Sequence, residues 1–169
     1  MNSISEPDIY LLLRHFRHDL LNDLQLLMGH LQLGRSNDVL YQDASNIVSR
    51  IQEVSSIFAC NDDSLATSVW YWKSVATVAR IRFSQQIEPV QEPFNKEVLA
   101  SLRSIVSTLL TEIATLEEDK RFLHIGISGT QFLLKSPPLA DAAPAILLAQ
   151  RKGWQLEKTA GVWRYWNVH

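Results

Sequence analysis

The sequence predicts an α+β fold: an N-terminal helical hairpin forming a dimeric four-helix bundle, then a small α/β sandwich with helices on one sheet face. Three observations predict it. After Pro7 no proline occurs until Pro89, whereas Pro89, Pro93, Pro137, Pro138 and Pro144 crowd the second half. Helices exclude internal proline, so residues 8 to 88 are the place for long ones. Leucines repeat at heptad-type spacing before residue 34, and alternating β-branched runs appear only after residue 77.

Residues 7 to 33 read as one helix. Ser3 or Ser5 can cap it, and Pro7 suits its first turn. Leu13, Leu20, Leu24, Leu27 and Leu31 form its main apolar seam, with Leu12, Phe16, Leu21 and Met28 beside it. The stretch Gly34-Arg35-Ser36-Asn37-Asp38 has turn chemistry, and Asn37 or Asp38 can cap the next helix. That helix carries Leu40, Ala44, Ile47, Ile51, Val54 and Phe58 at alternating four- and three-residue spacing. Two such helices make an antiparallel hairpin. Their apolar stripes are wider than one partner helix covers, so two hairpins are expected to pair as a homodimer, the alternative being packing on the C-terminal part of the same chain.

Asn61-Asp62-Asp63-Ser64 is the expected boundary, giving domains 1–61 and 62–169. Beyond it, Leu65 to about Val75 reads as a helix. Val78, Ile81, Phe83 and Ile87 read as a strand, with Arg80, Arg82 and Ser84 on its other face. Asn95 can cap a long helix from Lys96 to Glu118. Arg121 to Ser128 and Gln131 to Lys135 form a hairpin through Gly129. Ala142 to Lys152 is a short helix. Trp154 to Thr159 and Val162 to Val168 form a last hairpin around Ala160-Gly161.

Composition narrows the function. Of 169 residues, 46% are hydrophobic and 20% charged, with a formal net charge of -2. That balance suits a folded domain and argues against binding a nucleic-acid backbone or an anionic membrane. The start has no signal-peptide pattern and no run is long enough to span a bilayer, so a cytoplasmic protein is expected. Cys60 is the single cysteine, which excludes an internal disulfide and reads as a small packing residue.

One stretch carries chemistry: Leu13-Arg14-His15-Phe16-Arg17-His18-Asp19-Leu20-Leu21-Asn22-Asp23-Leu24-Gln25. Arg14, His18, Asn22 and Gln25 share one helix face. A neutral imidazole is a competent nucleophile near neutral pH. Arg14 and Arg17 can offset an arriving phosphoryl charge. Asp19 can orient an imidazole nitrogen, and Asn22 can hydrogen-bond a phosphoryl oxygen. A histidine on a charged helix face is, on spacing alone, more often plain solvated surface. His30 reads as solvated, and His124 as a buried or edge side chain of a strand.

This string resembles the phosphoacceptor helix of the sporulation initiation phosphotransferase B family and the related citrate- and fumarate-type sensor kinases. The matching pieces are Leu13-Arg14, His18-Asp19, Asn22, Leu24-Gln25 and Gly29, followed by Leu31 and Leu33-Gly34. The resemblance implies that His18 accepts a phosphoryl group from a response-regulator aspartate and passes it to a second regulator. His15 matches no family position. On this reading the bundle surface around Phe16, His18, Leu21, Asn22 and Gln25, with Arg17, is expected to dock receiver domains. No cofactor is expected on this chain, and Mg²⁺ is expected on the regulator. The second domain would resemble a degenerate kinase ATPase domain. Thr108 and Glu112 stand where a kinase carries Asn residues, no Asp-x-Gly-x-Gly occurs, and six scattered glycines cannot build a phosphate lid. A sensor-kinase remnant labelled from ATP, and a non-enzymatic module that only binds regulators, are the alternatives.

Overall fold

The computed structural model describes residues 6–58, 62–89, 94–159 and 161–167. The expected caps Ser3 and Ser5, and Cys60, Asn61, Ala160 and His169, lie outside them, as do the side chains of residues 6 to 11. The chain divides into two compact units, residues 2–57 and 58–169.

The first unit is the hairpin of α1 (Glu6–Gln32) and α2 (Asn37–Phe58). A Schellman motif ends α1: Arg35 N–H donates to His30 O at 3.0 Å and Gly34 N–H to Leu31 O at 3.1 Å. Gly34 takes φ +62°, which favours glycine. Helix α2 starts earlier than expected. Val39 and Leu40 N–H donate to Ser36 O, so Asn37 and Asp38 lie in its first turn rather than capping it.

The seam of this hairpin is rotated from the one the leucine spacing suggested. Leu12 of α1 and Ile47 of α2 are buried, and Phe16, Leu20, Leu27, Leu40, Ala44 and Val54 are half-buried. Leu13, Leu24 and Leu31, expected in the seam, are exposed with Leu21 and Met28. Two polar pairs cross the seam. His30 Nδ1 lies 2.6 Å from Asp43 Oδ2, and Arg50 Nη1 2.9 Å from Asp23 Oδ2. They are one heptad apart on each helix, as an antiparallel register requires.

The second unit contains α3 (Asp63–Val78), β1 (Arg82–Ile87), α4 (Lys96–Ile113), a 3₁₀ turn (Glu118–Lys120), β2 (Phe122–Ser128), β3 (Gln131–Ser136), α5 (Pro144–Arg151), β4 (Gln155–Thr159) and β5 (Val162–Trp166). The sheet order is β1-β2-β3-β5-β4, with β1 parallel to β2 and the other pairings antiparallel. Helix α4 is the crossover that the parallel pair needs. Asp62 caps α3 by accepting from Leu65 N–H at 2.9 Å, and Asn95 caps α4 by accepting from Glu97 N–H at 2.8 Å.

The core lies between one sheet face and the helices. Leu99, Leu102, Ile105, Val106, Leu109, Leu110 and Ile113 of α4 are buried, as are Leu123, Ile125 and Ile127 of β2. Trp72, Trp163 and Tyr165 join them, so the aromatic clusters are largely packing residues. Burial pushes the Tyr165 phenol up to about 12, and its hydroxyl lies 3.3 Å from Ser136 Oγ. Two boundaries differ from expectation. Val78 ends α3 instead of opening β1, and the turn after it holds Arg80 at φ +53°. Helix α4 stops at Ile113, where the Thr115 hydroxyl donates to Glu112 O.

Candidate functional site

The helical period brings Arg14, His18, Asn22 and Gln25 to one exposed face of α1. The His18 side chain is 70% exposed and Asp19 is 57% exposed. Asn22 Nδ2 lies 3.2 Å from His18 Nδ1, and Asp19 Oδ1 lies 3.4 Å from the same nitrogen. Both neighbours therefore act on Nδ1, and His18 Nε2 has no hydrogen-bond partner among the described residues. An Nδ1–H donated to Asp19 leaves the imidazole lone pair on Nε2. As placed, the Asn22 amide nitrogen faces Nδ1; turning the amide about its last torsion would bring its oxygen there to accept from the same proton.

Arg14, Arg17 and Gln25 are exposed and make no ion pair or hydrogen bond among the described residues. Arg14 stands one turn before His18. Arg17 sits on another row, one turn from Leu13 and from Leu21. Phe16 departs from the expected docking set, because it is half-buried on the row of Leu12 and Leu20 and does not share the His18 face. Leu21 is 51% exposed and borders that face.

An apolar strip therefore runs beside the imidazole. It comprises Leu13, Leu21, Leu24, Met28 and Leu31 on α1, and Tyr41, Val48 and Ile51 are exposed on α2. Exposed apolar side chains on both helices are the usual mark of an interaction surface.

His30 is not the solvated residue expected. Its side chain is 26% exposed and paired with Asp43, which is 11% exposed. Nothing local in the sequence signalled that contact, because its partner lies on the other helix. His124 is a half-buried strand residue whose Nδ1 lies 2.9 Å from Ser84 Oγ. Burial, then the nearby Lys135 ammonium, lowers its pKa and favours a neutral ring.

In the second unit, Glu112 is engaged rather than open. Its Oε1 accepts from Ala145 N–H at 2.8 Å, at the start of α5. Its Oε2 is shielded and has no hydrogen-bond partner among the described residues, and burial raises the carboxyl pKa. Thr108 donates its hydroxyl to Ser104 O at 2.8 Å. Among the described residues no group of three His, Cys, Asp or Glu is placed to hold a metal ion, and no helix is long and apolar enough to cross a membrane.

Residues 2–60 match the family described as the sensor kinase SpoOB-type alpha-helical domain. No curated protein matches the chain. Among solved structures, a bacterial phosphotransferase determined at 1.7 Å is similar at 15% identity and TM-score 0.40, over 98% of this chain and 98% of that one. The histidine kinase AdeS of Acinetobacter baumannii is similar at 11% identity and TM-score 0.39, over 88% of this chain and 95% of that one. The helical-domain match covers the whole stretch from Leu13 to Gly34 in which His18 lies. Residues 2–60 are therefore similar to the SpoOB-type sensor-kinase alpha-helical domain.

Proposed function

We propose that this chain is a dimeric histidine phosphotransferase of a two-component phosphorelay, with His18 as the phosphoacceptor. The observation that carries the reading is the exposed His18 ring, contacted on Nδ1 by Asp19 and Asn22, on a helix that matches the SpoOB-type alpha-helical domain. Two hairpins pair along the exposed strip of Leu13, Leu24, Leu31, Tyr41, Val48 and Ile51 into a four-helix bundle. Burying half-exposed leucines on both copies contributes about 1 kcal/mol for each side chain.

The reaction is a phosphoryl exchange between oxygen and nitrogen. The lone pair on His18 Nε2 attacks the phosphorus of an aspartyl phosphate on a docked receiver domain. The P–N bond forms as the P–O bond to the aspartyl carboxylate breaks, and that carboxylate leaves with the electron pair. The Nδ1 proton stays on the ring, where Asp19 offsets the positive charge of the phosphoimidazolium. Arg14 faces the equatorial phosphoryl oxygens, and Asn22 holds the ring in its attacking orientation. The reverse path delivers the group to a second regulator. A Mg²⁺ ion on the receiver domain would supply further charge neutralisation there.

The test is a transfer assay with three proteins: wild type, His18→Ala and His15→Ala. Base-stable, acid-labile label from a phosphorylated receiver domain is expected on wild type and His15→Ala, and absent from His18→Ala. Label from ATP in place of the receiver would make the chain a kinase. Receiver binding without transfer would make it a docking module.

A further inference from the structure

We propose that the open face of the sheet carries a binding site for a small planar heteroaromatic anion, its ring seated over Gly126 against Leu133 and Trp166 and its acid group on Lys135. A groove of about 380 Å³ lies there, within the range of small-ligand sites. Its floor is Gly126, in the middle of β2. The register places Gln86 on one side of that glycine and Leu133 on the other, with Trp166 next in the row. Every neighbour in the row has a side chain, so the missing one leaves a notch.

The walls are held in place from outside the notch. Trp166 Nε1 donates to Gln155 Oε1 at 2.9 Å, which fixes the indole. The Ser84 contact on Nδ1 fixes the His124 ring, and its Nε2 comes within 3.8 Å of where a Gly126 Cβ would stand. His124 is thereby held with a nitrogen presented to the notch. The amide of Gln86 offers a donor and an acceptor to a ring edge, and it has no partner among the described residues.

Charge selects the sign of the ligand. Lys135 makes no ion pair or hydrogen bond among the described residues. The carboxylate in the groove, Glu88, accepts from the Ser128 hydroxyl at the far end. A second groove of similar size, beside Trp154, offers less. Its indole N–H already donates to Ser101 Oγ, and both ends of its Asn167 amide are hydrogen-bonded.

The test uses the full chain with orotate and nicotinate as probes and uracil as the neutral control, followed by NMR of the Trp166 indole and the His124 ring. Saturable shifts of both signals are expected with at least one acid. Lys135→Ala should weaken that binding at least tenfold. Gly126→Val should abolish it while the unfolding midpoint holds, since a Cβ there meets Leu133 at an ordinary 3.5 Å. No saturable shift with either acid overturns the proposal. So does equal binding of uracil, or an affinity unchanged in both variants.

Discussion

Asn22 stands one helical turn beyond His18, with its amide nitrogen 3.2 Å from the ring Nδ1. With the amide turned so that its oxygen faces Nδ1–H, Asn22 holds the ring by the nitrogen that does not react in the proposed mechanism. Asn22→Ala is expected to slow phosphoryl transfer to His18 by about 10- to 100-fold, the range of a lost positioning group. Receiver binding should change less than threefold. Single-turnover transfer kinetics beside a binding titration would separate the two effects.

The apolar strip on α1 gives a second expectation. Leu24 is 40% exposed within the hairpin. Leu24→Glu should leave helix content unchanged and convert the proposed dimer to monomer, because a carboxylate in the proposed bundle seam would lack a partner. Sedimentation equilibrium checks it. A wild-type monomer would refute the dimer outright.

His30 and Asp43 give a third. Their 2.6 Å contact and the Asp23–Arg50 pair cross the same seam one heptad apart. His30→Ala or Asp43→Ala should each cost about 1 to 2 kcal/mol of hairpin stability, the range for a half-buried charge-assisted hydrogen bond. A double-mutant cycle by urea unfolding should return most of that cost as coupling.

Tyr165 gives a pH dependence. Its folded-state pKa is pushed up to about 12, above the usual value of 10.0. A raised pKa favours the protonated form in the folded state. The stability it contributes is present below pH 10 and lost as pH rises towards 12. Tyr165→Phe should flatten that alkaline limb. It should cost about 1 kcal/mol at pH 7, because the Ser136 contact is lost. Thermal melts from pH 8 to 12 check both parts.

Much of this architecture was legible in the sequence. The α4 apolar positions from Leu99 to Ile113 are all buried, because one long amphipathic helix has a strong period. The Asn95 cap was legible because capping chemistry is local. The α1 seam was harder. Apolar residues cover nearly half of that helix, so spacing alone could not say whether Leu12 or Leu13 turns inward. Val78 looked like a strand residue by type, yet it is 86% exposed in the last position of α3, because β-propensity reflects packing on a sheet that this residue does not reach.

At the site, the shared face of Arg14, His18, Asn22 and Gln25 follows from helical geometry and was readable. The inward turn of Phe16 and the pairing of His30 with Asp43 depend on where α2 lies. No local pattern encodes that.

The most direct test of the central claim is ³¹P NMR of the full-length protein after transfer from a phosphorylated receiver domain. One phosphoramidate signal is expected, at the position of Nε2-phosphohistidine and absent in His18→Ala. A signal that persists in His18→Ala, or one at the position of Nδ1-phosphohistidine, would contradict the account.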